Sequence, residues 1–85
     1  MNFEFSKHAE TELVLRKIPR AMAEEVLRQP QQIVTERAPR KAYQSKVDFG
    51  DGRMFLVRVI VDDTVEPAIV VTLYRTTKIN KYWKP

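Results

Sequence analysis

Arg53-Met54-Phe55-Leu56-Val57-Arg58-Val59-Ile60-Val61 is the stretch from which the fold is read. Successive side chains of a strand point to opposite sides, so Phe55, Val57, Val59 and Val61 share one face while Met54, Leu56, Arg58 and Ile60 share the other. Both faces are apolar apart from Arg58. A strand that is apolar on both sides is covered on both, which places this one in the middle of a sheet rather than at its edge. On its N-terminal side, Gly50-Asp51-Gly52 supplies the positive backbone dihedrals of a tight hairpin, and a partner strand is predicted over 42–49. On its C-terminal side, 62–67 reads as a turn into a further strand over 68–75, with Ile69, Val71 and Leu73 opposed to Val70, Thr72 and Tyr74.

Further upstream, 33–36 reads as a short strand, followed by the basic connection Arg37-Ala38-Pro39-Arg40-Lys41. Two helices precede it. Ser6 is a good N-cap, and Phe5, Ala9, Leu13 and Arg16 recur at a spacing of three to four, with Val14 widening the stripe toward Ile18. Pro19 suits the first turn of a second helix, which buries Met22, Ala23, Val26 and Leu27, exposes Arg20, Glu24, Glu25 and Arg28, and stops at Pro30. Residues 2–5 form a short extended lead-in. The expected fold is therefore α+β, with two N-terminal helices packed on one face of a small antiparallel meander sheet. Its 85 residues suffice for one domain, spanning 1–85, because so short a chain buries only a little over ~60% of its unfolded surface.

Apolar residues form 44% of the chain and charged ones 31%, the proportions of an ordinary globular domain. The absence of cysteine excludes disulfides, thiolate chemistry and cysteine-based metal sites. No apolar run approaches the ~20 residues of a membrane span and the N-terminus has no basic leader, so a cytoplasmic address is expected and no membrane partner. The net charge is +4, but it is unevenly placed. Arg37, Arg40, Lys41 and Lys46 lie in one acid-free window, and Arg75, Lys78, Lys81 and Lys84 in another. Together these windows hold 8 of the 15 basic residues and none of the 11 acidic ones. Two such clusters, one running into Tyr82 and Trp83, point to a surface that binds phosphates.

Several side chains are candidates for chemistry on that surface. Arg58 in mid-strand must meet water, a bound anion or an acid such as Glu36 or Asp48, because an unpaired buried guanidinium is costly. Arg75, at the end of the last strand, can fork onto two phosphate oxygens. Tyr74, Tyr82 and Trp83 can stack on unpaired bases or close the edge of the core. His8, the one histidine, stands near the first turn of a helix, where the dipole favours its neutral, proton-accepting form, although Glu12 one turn on is an ordinary partner for it. A single histidine with dispersed carboxylates offers no metal-ligand spacing, and neither a metal nor another cofactor is expected.

Three segments carry a resemblance to known proteins: Phe5-Ser6-Lys7-His8-Ala9-Glu10, Val26-Leu27-Arg28-Gln29-Pro30, and Val70-Val71-Thr72-Leu73-Tyr74-Arg75-Thr76-Thr77-Lys78. Together they resemble the domain-of-unknown-function-4258 family, and the order of elements is similar to the RelE/ParE-like toxins. The resemblance implies a toxin-type RNA-binding protein, a metal-independent ribonuclease acting by attack of a ribose 2′-hydroxyl on the adjacent phosphate. Arg75 and Arg58 would stabilise charge and Tyr82 or His8 would move protons, while Arg37, Arg40, Lys41, Lys46, Tyr74, Lys78 and Lys81 would hold the RNA. Tyrosine ionises near ~10, so Tyr82 serves as a base only where cations such as Lys78 or Lys81 lower that value. The partners implied are RNA, including ribosome-bound RNA, and an antitoxin protein. The alternative is a non-catalytic RNA-binding or protein-interaction module of the ParE kind.

Overall fold

The computed structural model describes residues 2–85, and its central element is the strand on which the sequence reading turned. β4 (Met54–Asp62) carries the most deeply buried run of the chain, with Leu56, Val57, Val59 and Val61 fully covered and Arg58 only 2% exposed. Seven further elements surround it: β1 (Phe3–Phe5), α1 (Lys7–Leu15), α2 (Arg20–Arg28), β2 (Gln32–Thr35), β3 (Arg40–Asp48), β5 (Ala68–Thr76) and α3 (Ile79–Tyr82). The sheet order is β1-β5-β4-β3-β2.

The expected antiparallel meander under two N-terminal helices is corrected by this arrangement. The sheet has five strands and is mixed, because the N-terminal segment does more than lead into α1. It pairs in parallel with β5, from Phe3 opposite Ala68 to Phe5 opposite Val70. The backbone reason is accounting: β5 would otherwise be an edge with unpaired amides, and β1 satisfies them through bonds such as Ala68 N–H to the Asn2 carbonyl at 3.0 Å. A third helix, α3, follows β5 at the C-terminal end. The start of β3 also moves: Arg40 and Lys41 lie on the strand rather than in the connection before it.

Local chemistry explains the joints. The Ser6 hydroxyl accepts from the Ala9 N–H and donates to the Val71 carbonyl, both at 3.0 Å, so one residue caps α1 and ties it to β5. α1 ends in a Schellman motif, with Ile18 N–H bonded to the Leu13 carbonyl and Lys17 N–H to that of Val14. Lys17 itself takes the left-handed conformation at φ 55°, where glycine is usual. In the β3–β4 hairpin, Gly50, Asp51 and Gly52 all have positive φ, as their sequence requires.

One face of the sheet makes the core. Ala9, Leu13 and Ile18 from the α1 region and Ala23, Val26 and Leu27 from α2 pack on Tyr43, Val57, Val59, Val61, Val70 and Leu73. The alternation expected for β5 is broken by a bulge, since Val61 pairs with Val70 but Ile60 with Thr72. Val70 and Leu73 therefore lie in the same core instead of on opposite faces. The second face carries Gln44, Lys46, Leu56, Arg58 and Tyr74, and α3 lies against it. No helix is long and apolar enough to cross a membrane among the described residues.

Candidate nucleic-acid interface

Arg58 organises the second face. The β3–β4 register sets it opposite Gln44 and the β4–β5 register opposite Tyr74. Its Nε donates to Gln44 Oε1 at 2.8 Å, and its Nη1 donates to the Tyr74 hydroxyl at 2.6 Å and to Glu36 Oε1 at 3.2 Å. Of the two acids the sequence offered, Glu36 is the partner. The ring of Tyr82 covers the guanidinium, with the Arg58 Cζ 4.3 Å from its centroid. Arg58 is thus a buried, paired and capped cation, which spares it the penalty of an isolated charge.

Tyr82 reaches this position because β5 runs on into α3, which folds back over the sheet. The Gln44 amide donates to the Tyr82 carbonyl at 3.3 Å, and the Gln32 side chain bonds both the N–H and the C=O of Lys84. Tyr74 and Tyr82 meet edge to face, 6.2 Å between centroids. Burial pushes the Tyr74 phenol above the ordinary tyrosine value. The Tyr74 hydroxyl, joined by the Lys81 ammonium and the Arg58 guanidinium, holds the Tyr82 phenol below it. Of the two phenols Tyr82 is the one that ionises first, and the cationic neighbour with the clearest part is Lys81 rather than Lys78.

A shallow open hollow of about 650 Å³ is lined by Lys46, Lys78 and Lys81 with Met54, Thr77, Ile79 and Asn80, and the Nζ of Lys81 lies 5.2 Å from the centroid of the Tyr82 ring. No acid lines it, and among the described residues no ion pair engages any of the three lysines. Lys46 comes from one basic window and the other two from the second. The ring of Trp83 packs against Lys46, whose Nζ lies 4.1 Å from its centroid.

The other candidates lie elsewhere. Arg37, Arg40 and Lys41 sit at the far end of β3 from Lys46. Arg40 and Lys46 are six residue steps apart along the strand, about 20 Å at ~3.3 Å per residue. Lys41 is moreover paired with Asp63 at 3.0 Å. Arg75 stands opposite Val57, on the helix-bearing face, and its guanidinium rests on Phe49 and Phe55, 4.4 and 4.6 Å from the ring centroids. His8 is exposed and bonds Thr72 through Nε2 at 3.1 Å, rather than meeting Glu12, which pairs with Arg16. The residues that the sequence reading did not single out are Gln44 and Gln32, which link the guanidinium to the C-terminal segment. The signal for Gln44 was present: a hairpin centred on Asp51 brings 44 opposite 58.

A family model described as Domain of unknown function (DUF4258) matches residues 5–75. The chain belongs to this family. The DUF4258 match takes in Arg58, Gln44, Glu36 and Tyr74, and it ends at Arg75, before the segment that carries Lys78, Lys81 and Tyr82. No curated protein and no solved structure matches this DUF4258 chain.

Proposed function

We propose that this DUF4258 protein binds single-stranded RNA in the manner of a RelE-like toxin, seating phosphates on Lys46, Lys78 and Lys81, and cleaves it without metal by 2′-hydroxyl attack. The reading rests on one observation: two basic windows remote in sequence meet around an acid-free hollow, one of whose lysines, Lys81, lies 5.2 Å from the ring of Tyr82, a phenol held below the ordinary tyrosine value. The three ammonium groups neutralise adjoining phosphates, an attraction that is independent of base identity. Tyr82 as phenolate takes the 2′-hydroxyl proton while that oxygen attacks phosphorus. The P–O5′ bond breaks, leaving a 2′,3′-cyclic phosphate, and the departing 5′-oxygen is protonated by a lysine ammonium or by water. Arg58 acts beneath Tyr82, keeping the phenolate stable, and does not itself touch phosphate.

The competing reading, RNA binding without cleavage, has Arg75 in its favour, because that guanidinium rests on Phe49 and Phe55 and is turned away from the hollow. One set of assays separates the two. A labelled single-stranded oligoribonucleotide is titrated at several salt concentrations, and free and ribosome-bound RNA are incubated with excess protein in the presence of a chelator. Cleavage by the intact protein that is lost in Tyr82→Phe, with affinity retained, supports the enzyme. Salt-dependent binding with intact RNA supports the binder. No binding at low salt refutes both, and a protein partner captured after nuclease treatment would then favour an antitoxin-binding module of the ParE kind.

A further inference from the structure

Gln32 lies on β2, the edge strand farthest from β5 and the α3 segment that follows it, yet its side chain holds the end of the chain. Its Oε1 accepts the Lys84 N–H at 3.2 Å and the Gln44 Nε2–H at 2.8 Å, while its own Nε2 donates to the Lys84 carbonyl. A primary amide that bonds the N–H and the C=O of one residue does what a neighbouring strand would do, with a single side chain. Gln44 continues the path: its Nε2 also reaches the Tyr82 carbonyl, and its Oε1 receives Arg58 Nε. Arg58 in turn lies under the Tyr82 ring and bonds Tyr74. The bonds form a circuit that grips residue 82 by its backbone and its ring and residue 84 by its backbone.

We infer that Gln32 is a positioning residue, the latch that keeps the C-terminal segment closed over Arg58 and so places Tyr82. α3 is a four-residue helix with no buried residue, too short to hold itself in water. Apolar packing contributes little to its docking, which leaves the amide bonds and the aromatic contacts of Tyr82 and Trp83 to close it. Polar closure of this kind is reversible, and loss of one net hydrogen bond raises the open fraction about fivefold. When the segment opens, Tyr82 loses both Tyr74 and Arg58, and its phenol returns toward the ordinary value. This inference builds on the reading above because the segment held carries Tyr82, but the latch itself requires no RNA.

Trp83, the one tryptophan of the chain, reports closure directly. Acrylamide quenching of Trp83 and the pH titration of tyrosinate absorbance are measured for the intact protein, for Gln32→Ala, for Gln32→Glu, and for a chain ending at Trp83, which removes the other half of the latch. Far-UV circular dichroism checks that the sheet persists. Quenching is expected to rise several-fold in Gln32→Ala and in the shortened chain, with the lowest tyrosine titration moving up in both. Gln32→Glu, which retains the acceptor and loses the donor, should fall between. Because the shortened chain loses two of the three bonds that Gln32→Ala removes, the third being the one from Gln44, combining the two changes should add nothing beyond Gln32→Ala alone. Trp83 and tyrosinate signals unchanged in the shortened chain, or effects that add in the combined variant, would overturn the latch. The shortened chain also decides the matter if Gln32→Ala does not fold. RNA binding that fails while Trp83 responds as described refutes the proposed function alone, and RNA binding that persists without the Trp83 response refutes the latch alone.

Discussion

Replacing Glu36 with glutamine should lower the stability of the protein far more than its surface position suggests. Arg58 is 2% exposed, and among the described residues its one acidic partner is Glu36, at 3.2 Å and with a side chain 35% exposed. At that distance and an effective dielectric of ~20, the attraction is about 5 kcal/mol. Solvent at the exposed third of Glu36, and the hydration it gives up, take back more than half, leaving about 2 kcal/mol. Glu36→Gln keeps an acceptor for Arg58 Nη1 and removes only the charge, so this figure is electrostatic and not a packing loss. For a chain of this size about 2 kcal/mol corresponds to a fall in Tm of roughly 8–16 °C. Thermal unfolding followed by circular dichroism measures it, with Glu24→Gln, an exposed acid outside every ion pair described above, as the control. A Glu36→Gln Tm that coincides with that of the control would refute the account of Arg58 as a buried cation dependent on Glu36, and with it the reason for reading the guanidinium as a support rather than a phosphate ligand.

Lys46→Ala and Lys81→Ala should each weaken RNA binding without base preference and reduce the slope of log K against log salt by about 0.7, the single-strand increment per phosphate contact, whereas Arg40→Ala should leave it unchanged. Cleavage should rise with pH and level off below the ordinary tyrosine value, because the base must be deprotonated and Tyr82 is lowered; Lys81→Ala should move that limb upward, as a rate–pH profile will show. Arg75→Ala should cost about 1 kcal/mol of stability through its lost contact with Phe49 and Phe55 while leaving RNA affinity in place, seen by pairing thermal unfolding with the binding titration. Lys17→Gly should stabilise the protein by about 0.5–1 kcal/mol, by relieving a left-handed residue at the end of α1, readable as a rise in Tm.

Much of the sheet was legible because its cues are local. The two apolar faces of β4 declare a central strand, and Gly50-Asp51-Gly52 fixes not only a hairpin but a register, with Gln44 opposite Arg58 and Lys46 opposite Leu56. Ser6 announces the start of α1 and performs as a cap. What escaped was non-local. Three residues of β1 carry no period that distinguishes a parallel strand from a lead-in, and only the open edge of β5 shows why they pair. The bulge between the partners of Ile60 and Val61 shifts the phase of β5, so simple alternation put Val70 and Leu73 apart when the core unites them. α3 is too short for any helical signature and forms where Tyr82 and the Gln32 and Gln44 amides hold it.

The candidate site shows the same division between what a strand dictates and what a fold decides. Tyr74 and Arg75 are consecutive in an extended chain and therefore cannot share a face; once Tyr74 pairs with Arg58, Arg75 is committed to the side of Phe49 and Phe55. The two guanidiniums to which the resemblance gave a shared part in stabilising charge thereby lie on opposite faces of the sheet. The basic windows divide likewise, since a window that runs along a strand spreads its charge over its length: Lys46 joins the C-terminal lysines, and Arg40 and Lys41 stay with Asp62 and Asp63 at the other end. Positive charge concentrates at the hollow because the C-terminal segment turns back across the second face and brings Lys78 and Lys81 to Lys46. That turn depends on a cation buried beneath it. With a neutral residue at position 58, Gln44 would lose the donor on its Oε1, Tyr82 the charge under its ring and Tyr74 its hydrogen-bond donor, and the closed segment would have far less to close upon.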